Sequence, residues 1–194
     1  MDVAGLESTG ASLRRRRPEL VESVVAYRGT LIEVRVDRLM LAGGQEVTRE
    51  IVDHPGAVVV AAVDDQDRVV LAHQYRHALG RELLELPAGL LERGEDPILA
   101  ARRELREEAG VEARTWDSLG AFYSSPGFVH ELLHAFLARD LTPAPRDLDD
   151  DEDIELEWVP RKALLSQPAV VQDGKTLATL ALVEAFLARE RRTP

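Results

Sequence analysis

"GLLERGEDPILAARRELREEAGV", residues 89–111, contains one helix with both ends marked. Asp96 offers an N-cap oxygen, and Pro97 fits the first helical position, where no N–H is needed. Gly110 suits the left-handed residue that closes a helix. Between them Ile98, Ala101, Leu105 and Ala109 form one apolar stripe, the side that faces a core. The carboxylates run against the helix's own electrostatics. Glu104, Glu107 and Glu108 fall at about 0°, 300° and 40° around the axis and share one face. Glu104 and Glu108 repel as an i,i+4 pair by roughly 0.2–0.5 kcal/mol, and negative charge is disfavoured at a helix C-terminus. Arg102 and Arg106 project about 160° and 200° from Glu104, too far round to neutralise it. Arg103 can pair with Glu95 or Glu107 and hold the set in register. Because they flank the stripe, the three glutamates are expected at the rim of the core, beside a cleft. Carboxylates converging on one volume suit a hard divalent cation such as Mg2+, which prefers oxygen ligands. The plain alternative is a solvated face laced with i,i+4 ion pairs.

Upstream of this helix the pattern is strand-like. "LVESVVAY", "LIEVRVDRLML" and "EVTREIV" are rich in β-branched residues, with Gly43-Gly44 as a turn. "AVVVAAV" (57–63) is continuously apolar, as in a strand covered on both faces. "RVVLAHQYR" (68–76) follows, then "ELLELPAG", where Pro87 and Gly89 are expected to end the extended run. Downstream, "TWDSLGAFY" and "ELLHAFLA" read as strands, the second with a helical alternative by composition. An acidic loop, "RDLDDDEDIELEW" (146–158), precedes a short helix opened by Pro160 and a C-terminal helix over "KTLATLALVEAFLARERR". Strands, a helix, more strands and then helices imply a mixed sheet packed with helices rather than a doubly wound one. Residues 1–18 read as a solvated tail despite the run Arg14–Arg17.

The composition narrows the function. The chain has 194 residues, 45% hydrophobic, enough for one large domain or a domain with an appendage. Its net charge of −11 argues against nucleic acid as a partner. There is no cysteine, so thiolate chemistry is excluded and a cytoplasmic location is expected. No apolar run approaches a membrane span, and the N-terminus lacks the apolar region of a secretory signal. The five histidines, His54, His73, His77, His130 and His134, show no zinc-ligand spacing. Trp116 and Trp158 read as core.

Read from Gly89, the spacing is five residues to Glu95, seven to Arg103-Glu104-Leu105, one to Glu107-Glu108, and one to Gly110-Val111. This resembles the box of the Nudix hydrolase family at every defining position. "TREIV", "HQYRHALGRELLELPAG", "YSSPGF" and Pro126, about sixteen residues after the box, resemble its ADP-ribose pyrophosphatase subfamily from about residue 20 to 190.

The resemblance implies an α+β Nudix fold: a mixed sheet between helices, an α/β/α sandwich, with an N-terminal antiparallel strand subdomain. The implied division is a tail at 1–18, a strand region for dimerisation and substrate at 19–55, and the hydrolase domain at 56–194. It implies Mg2+-dependent hydrolysis of ADP-ribose to AMP and ribose 5-phosphate, with Mn2+ as a substitute, in a homodimer with exchanged N-terminal strands. The metal would be held by the Ala88 carbonyl, Glu104, Glu107, Glu108 and, from the acidic loop, Glu152, with Glu95 and Arg103 orienting. The general base falls on Asp150, where the subfamily has a glutamate; Asp149, Asp151 and Asp153 lie alongside. Arg49, Glu50, Arg76, Leu90, Ser125, Pro126, Gly127 and Glu131 are the implied substrate contacts, with Tyr27, Arg28 and Tyr75 as candidates for stacking on adenine. Cross-strand ion pairs for the arginines and core packing for Leu90 and the tyrosines are the alternatives. The box reads a diphosphate and not its substituents, so another nucleoside diphosphate sugar or dinucleotide is the alternative substrate. A non-catalytic ADP-ribose sensor is a remote third reading, because the box is intact and the chain is acidic.

Overall fold

The computed structural model describes residues 17–148, 154–166 and 170–192. The chain forms two compact units, one running through Asp53 and the other from His54. In the first, β1 (Glu19–Arg28), β2 (Glu33–Met40) and β3 (Glu46–Asp53) form an antiparallel meander. Gly44 takes the left-handed conformation (φ 80°) that the turn between β2 and β3 requires. Asp37 is buried there, accepting from Ser23 Oγ (2.7 Å) and paired with Arg35. Those bonds, Ser23 foremost, hold its carboxyl below the ordinary value.

The second unit is built on β4 (Ala57–Ala62), which is buried along its whole length. Its side chains alternate between two cores. Val59 and Ala61 face a cluster with Leu71, Leu86, Leu137, Leu180 and Val183. Val58, Val60 and Ala62 face another with Ala101, Leu105, Phe136 and Ala138. One sheet runs β7 (Ala88–Leu90), β4, β10 (Leu132–Pro143) and β8 (Val111–Tyr123). Here β10 lies parallel to β4, with Leu133 opposite Ala57, and antiparallel to β8. A second sheet has β5 (Arg68–Arg76) between β6 (Arg81–Glu85) and β11 (Ile154–Pro160). A short strand, β9 (Val129–His130), follows the turn after β8. Helix α1 (Pro97–Ala109) covers the second cluster, and α3 (Gly174–Glu190) the first, after the short α2 (Arg161–Ser166). This is the expected α/β/α sandwich.

Helix α1 has the expected limits. Asp96 accepts from the Ile98 amide at 3.1 Å, and Gly110 (φ 63°) donates its amide to the Arg106 carbonyl at 3.0 Å. "ELLHAFLA" is strand, because β10 is paired on both edges. One expectation fails. Gly89 does not end an extended run but lies within β7, opposite Val58. Another shifts: Glu104 and Glu108 are not at the rim but buried, 8% and 3% exposed, with only Glu107 half-buried. Trp116 and Trp158 are partly buried against the second cluster.

Candidate active site

The site begins where α1 meets β7. A Cβ on Gly89 would lie 2.0 Å from Cδ of Glu104, so only glycine lets that carboxylate rest against the strand backbone. One residue earlier, the Ala88 amide donates to Glu108 Oε2 at 3.0 Å. Glu108 is thus bonded to the main chain of Ala88, and Glu104 lies packed against Gly89 beside it.

Arg103 binds the rest of the box together. Its Nε and Nη2 donate to Glu95 at 3.2 and 3.1 Å, Nη1 to Glu104 at 2.6 Å and Glu107 at 3.1 Å, and Nη2 also to the Leu90 carbonyl at 3.2 Å. The Glu95 bonds, with Glu104 and Glu107, push the guanidinium above its ordinary value, so it stays charged throughout. In return Arg103 holds the Glu95 carboxyl below the carboxylate range, helped by the Glu92 amide. One planar cation therefore fixes three carboxylates and the β7–α1 loop, as an orienting residue should.

A second polar cluster lies on the β5–β6 side. Arg76 grips Glu85 as a fork, Nε to Oε1 and Nη2 to Oε2, both 2.8 Å. Lys175 also contacts Glu85, and Asp173 at 3.1 Å. Burial pushes the Glu85 carboxyl up, but Arg76 and Lys175 together bring it below its ordinary value. The charge of Glu108 in turn acts on Arg76. Glu85 and Lys175 escaped the sequence reading. The signal was a carboxylate beside the apolar run into the "LPAG" turn.

The remaining candidates are spread out. Leu90 is 43% exposed rather than core. Pro126 and Gly127 form an exposed turn after β8, and the Ser125 carbonyl accepts from the Phe128 and Val129 amides. Glu131 lies 3.7 Å from His54. Arg49 and Glu50 sit exposed on β3 of the first unit, and Arg49 makes no ion pair among the described residues, against the cross-strand pairing alternative. Tyr27 and Tyr75 are more than half exposed, which removes core packing as their explanation. His73 pairs with Glu157 at 2.9 Å. Asp149, Asp150, Asp151, Glu152 and Asp153 lie outside the described residues. Both ends of their loop are tethered: the Ala144 amide donates to Gly110, the Asp147 amide to Glu107, and Arg146 Nη2 to the Ile154 carbonyl.

Among the described residues no three acidic or histidine side chains are arranged to hold a metal. The set at α1 is two buried carboxylates, Glu104 and Glu108, whose oxygens are the donors a hard divalent cation takes, with further ligands needed to complete the shell.

The fold and box together define a Nudix protein, and residues 53–180 match the NUDIX domain family model. The chain belongs to that family. It is 40% identical over 171 residues to an ADP-ribose pyrophosphatase of Bacillus subtilis (strain 168), covering 84% of this chain and 92% of that one. It is 41% identical over 145 residues to an ADP-ribose pyrophosphatase of Mycobacterium tuberculosis, covering 73% and 70%. A crystal structure described as an ADP compounds hydrolase superposes with a TM-score of 0.81 at 24% identity, covering 92% of this chain and 98% of that one. At that identity the likeness speaks for the fold.

Proposed function

We propose that this Nudix hydrolase is an ADP-ribose pyrophosphatase that requires Mg2+, with Mn2+ as a substitute, and acts in the cytoplasm. The observation that carries the reading is the pair of buried carboxylates, Glu104 and Glu108, gathered against Gly89 and the Ala88 amide. Two such anions repel strongly at low dielectric, and a bound cation removes that penalty. Glu104, Glu108, the Ala88 carbonyl and Glu152 would hold the metal, with Glu107 assisting and Glu95 and Arg103 orienting. When bound, the cation neutralises phosphate charge and lowers the pKa of a water. Asp150 takes the proton from the attacking water. The new bond is from water oxygen to phosphorus, the P–O–P bridge breaks, and AMP and ribose 5-phosphate leave. Arg76 and Arg49 are the proposed contacts to the phosphates and adenosine, and Leu90, Ser125, Pro126, Gly127, Glu50 and Glu131 the further proposed substrate contacts that the subfamily resemblance implies.

The test is ADP-ribose turnover. Purified protein with Mg2+ should release AMP and ribose 5-phosphate in equal amounts, and chelation should abolish release. Turnover of GDP-mannose or a linked dinucleotide at higher kcat/KM than ADP-ribose would replace the substrate. We further propose the homodimer with exchanged N-terminal strands. Supporting it, β1 is exposed along its length, with Leu20, Val21, Val24, Val25 and Tyr27 all over 40% exposed, an apolar edge that one chain leaves uncovered. Light scattering should give twice the chain mass; a monomer at micromolar concentration rejects it.

A further inference from the structure

Lys175 is in the first turn of α3, where positive charge is disfavoured by the helix dipole. The helix does not need it for capping. Asp173 accepts from the Thr176 amide at 2.9 Å and hydroxyl at 2.6 Å. The same Thr176 hydroxyl also accepts the Leu86 amide at 2.9 Å, on the turn that leads into Ala88. The lysine serves something else, and its nearest charge is Glu85, which is 2% exposed.

Glu85 uses both oxygens on Arg76, which commits Nε and Nη2 of the guanidinium. Nη1 of Arg76 makes no hydrogen bond among the described residues, and the guanidinium remains partly exposed, within the field of Glu108. The four charges of Arg76, Glu85, Lys175 and Asp173 balance. Without Lys175 the set becomes net negative beside two further buried carboxylates. Glu85 would then depend on Arg76 alone, and a negatively charged diphosphate would meet a more negative site.

We propose that Lys175 is a positioning residue for substrate: by neutralising Glu85 it holds the Arg76–Glu85 fork with the free edge of the guanidinium available to the diphosphate. The inference rests on the phosphate-binding role given to Arg76 above. Lys175 itself touches no reacting atom. Its effect is exerted through Glu85 and Arg76, so it should appear in substrate binding and leave the chemical step nearly unchanged.

The test is steady-state kinetics with ADP-ribose and Mg2+ on the wild type, Lys175→Met, Lys175→Arg, Arg76→Gln and the double variant Arg76→Gln/Lys175→Met. Lys175→Met is expected to raise KM about tenfold with kcat within roughly threefold of wild type, and Lys175→Arg to restore most of the KM. In the Arg76→Gln background Lys175→Met should add no further loss, since its route is already cut. An unchanged KM in Lys175→Met, or the same fold-loss in both backgrounds, overturns the proposal. So does failure of Lys175→Met to fold by circular dichroism, because the cap is left intact. If the wild type itself does not hydrolyse ADP-ribose, the substrate reading falls and this role falls with it. If the wild type does hydrolyse it and only the KM shift is missing, the Lys175 role alone is wrong.

Discussion

Glu104 touches the chain at Gly89, and that one contact decides what side chain position 89 accepts. Gly89→Ala places a methyl 2.0 Å from the Glu104 carboxyl carbon. The backbone or the carboxylate must move, at a cost of about 1–3 kcal/mol. We expect a lower melting temperature and, in the same variant, a much weaker response of that temperature to Mg2+. Glu108→Gln separates the two effects. Its oxygen can still accept the Ala88 amide, so the fold should be kept, while kcat drops by about a thousandfold. Calorimetry should show Mg2+ stabilising the wild type, by about 2.7 kcal/mol at a hundred times its Kd, and the variant far less. The carboxylates of the box could be read from spacing because Glu104, Glu107 and Glu108 are neighbours on one helix. Glu85 and Lys175 could not, since their contact joins positions 90 apart in the chain and neither residue type is unusual where it stands.

Helix α1 was legible to its last residue because its limits are set by local chemistry. Asp96 bonds an amide two residues on, and Gly110 takes a conformation that other residues resist. Asp96→Ala should cost about 1 kcal/mol in urea denaturation while leaving kcat nearly unchanged, because the carboxylates are fixed at the other end by Arg103 and β7. Strand β7 was not legible. "PAG" reads as a break, and the glycine is there for a close approach that only the folded structure supplies. The depth of Glu104 and Glu108 was hidden for the same reason. The helical wheel gives their angle, and β7 decides whether that angle meets solvent or backbone.

Across the whole molecule, buried ionic clusters govern the acid side of stability. The folded Glu85 carboxyl lies below its ordinary 4.5, so its contribution is complete above that pH. It is lost as pH falls through the folded value, where protonation releases Arg76 and Lys175. Glu85→Gln should be less stable at pH 7 and show a shallower fall as pH drops below the ordinary carboxyl value of 4.5, measured as urea midpoints. A mixed sheet packed with helices followed from the order of elements, and a strand covered on both faces from the continuous apolar run of β4, whose alternating side chains supply both cores; the sandwich itself was implied by the family resemblance. That strand has a further consequence during synthesis. Its parallel partner, β10, lies about seventy residues downstream. At about 5–20 residues per second a ribosome needs roughly four to fifteen seconds to deliver it. Throughout that interval "AVVVAAV" is an uncharged, β-prone segment with the edge that β10 will cover still open, the type of segment that seeds aggregates. The yield of native protein should therefore depend on chaperone capacity and on growth temperature more than on the stability of the finished fold.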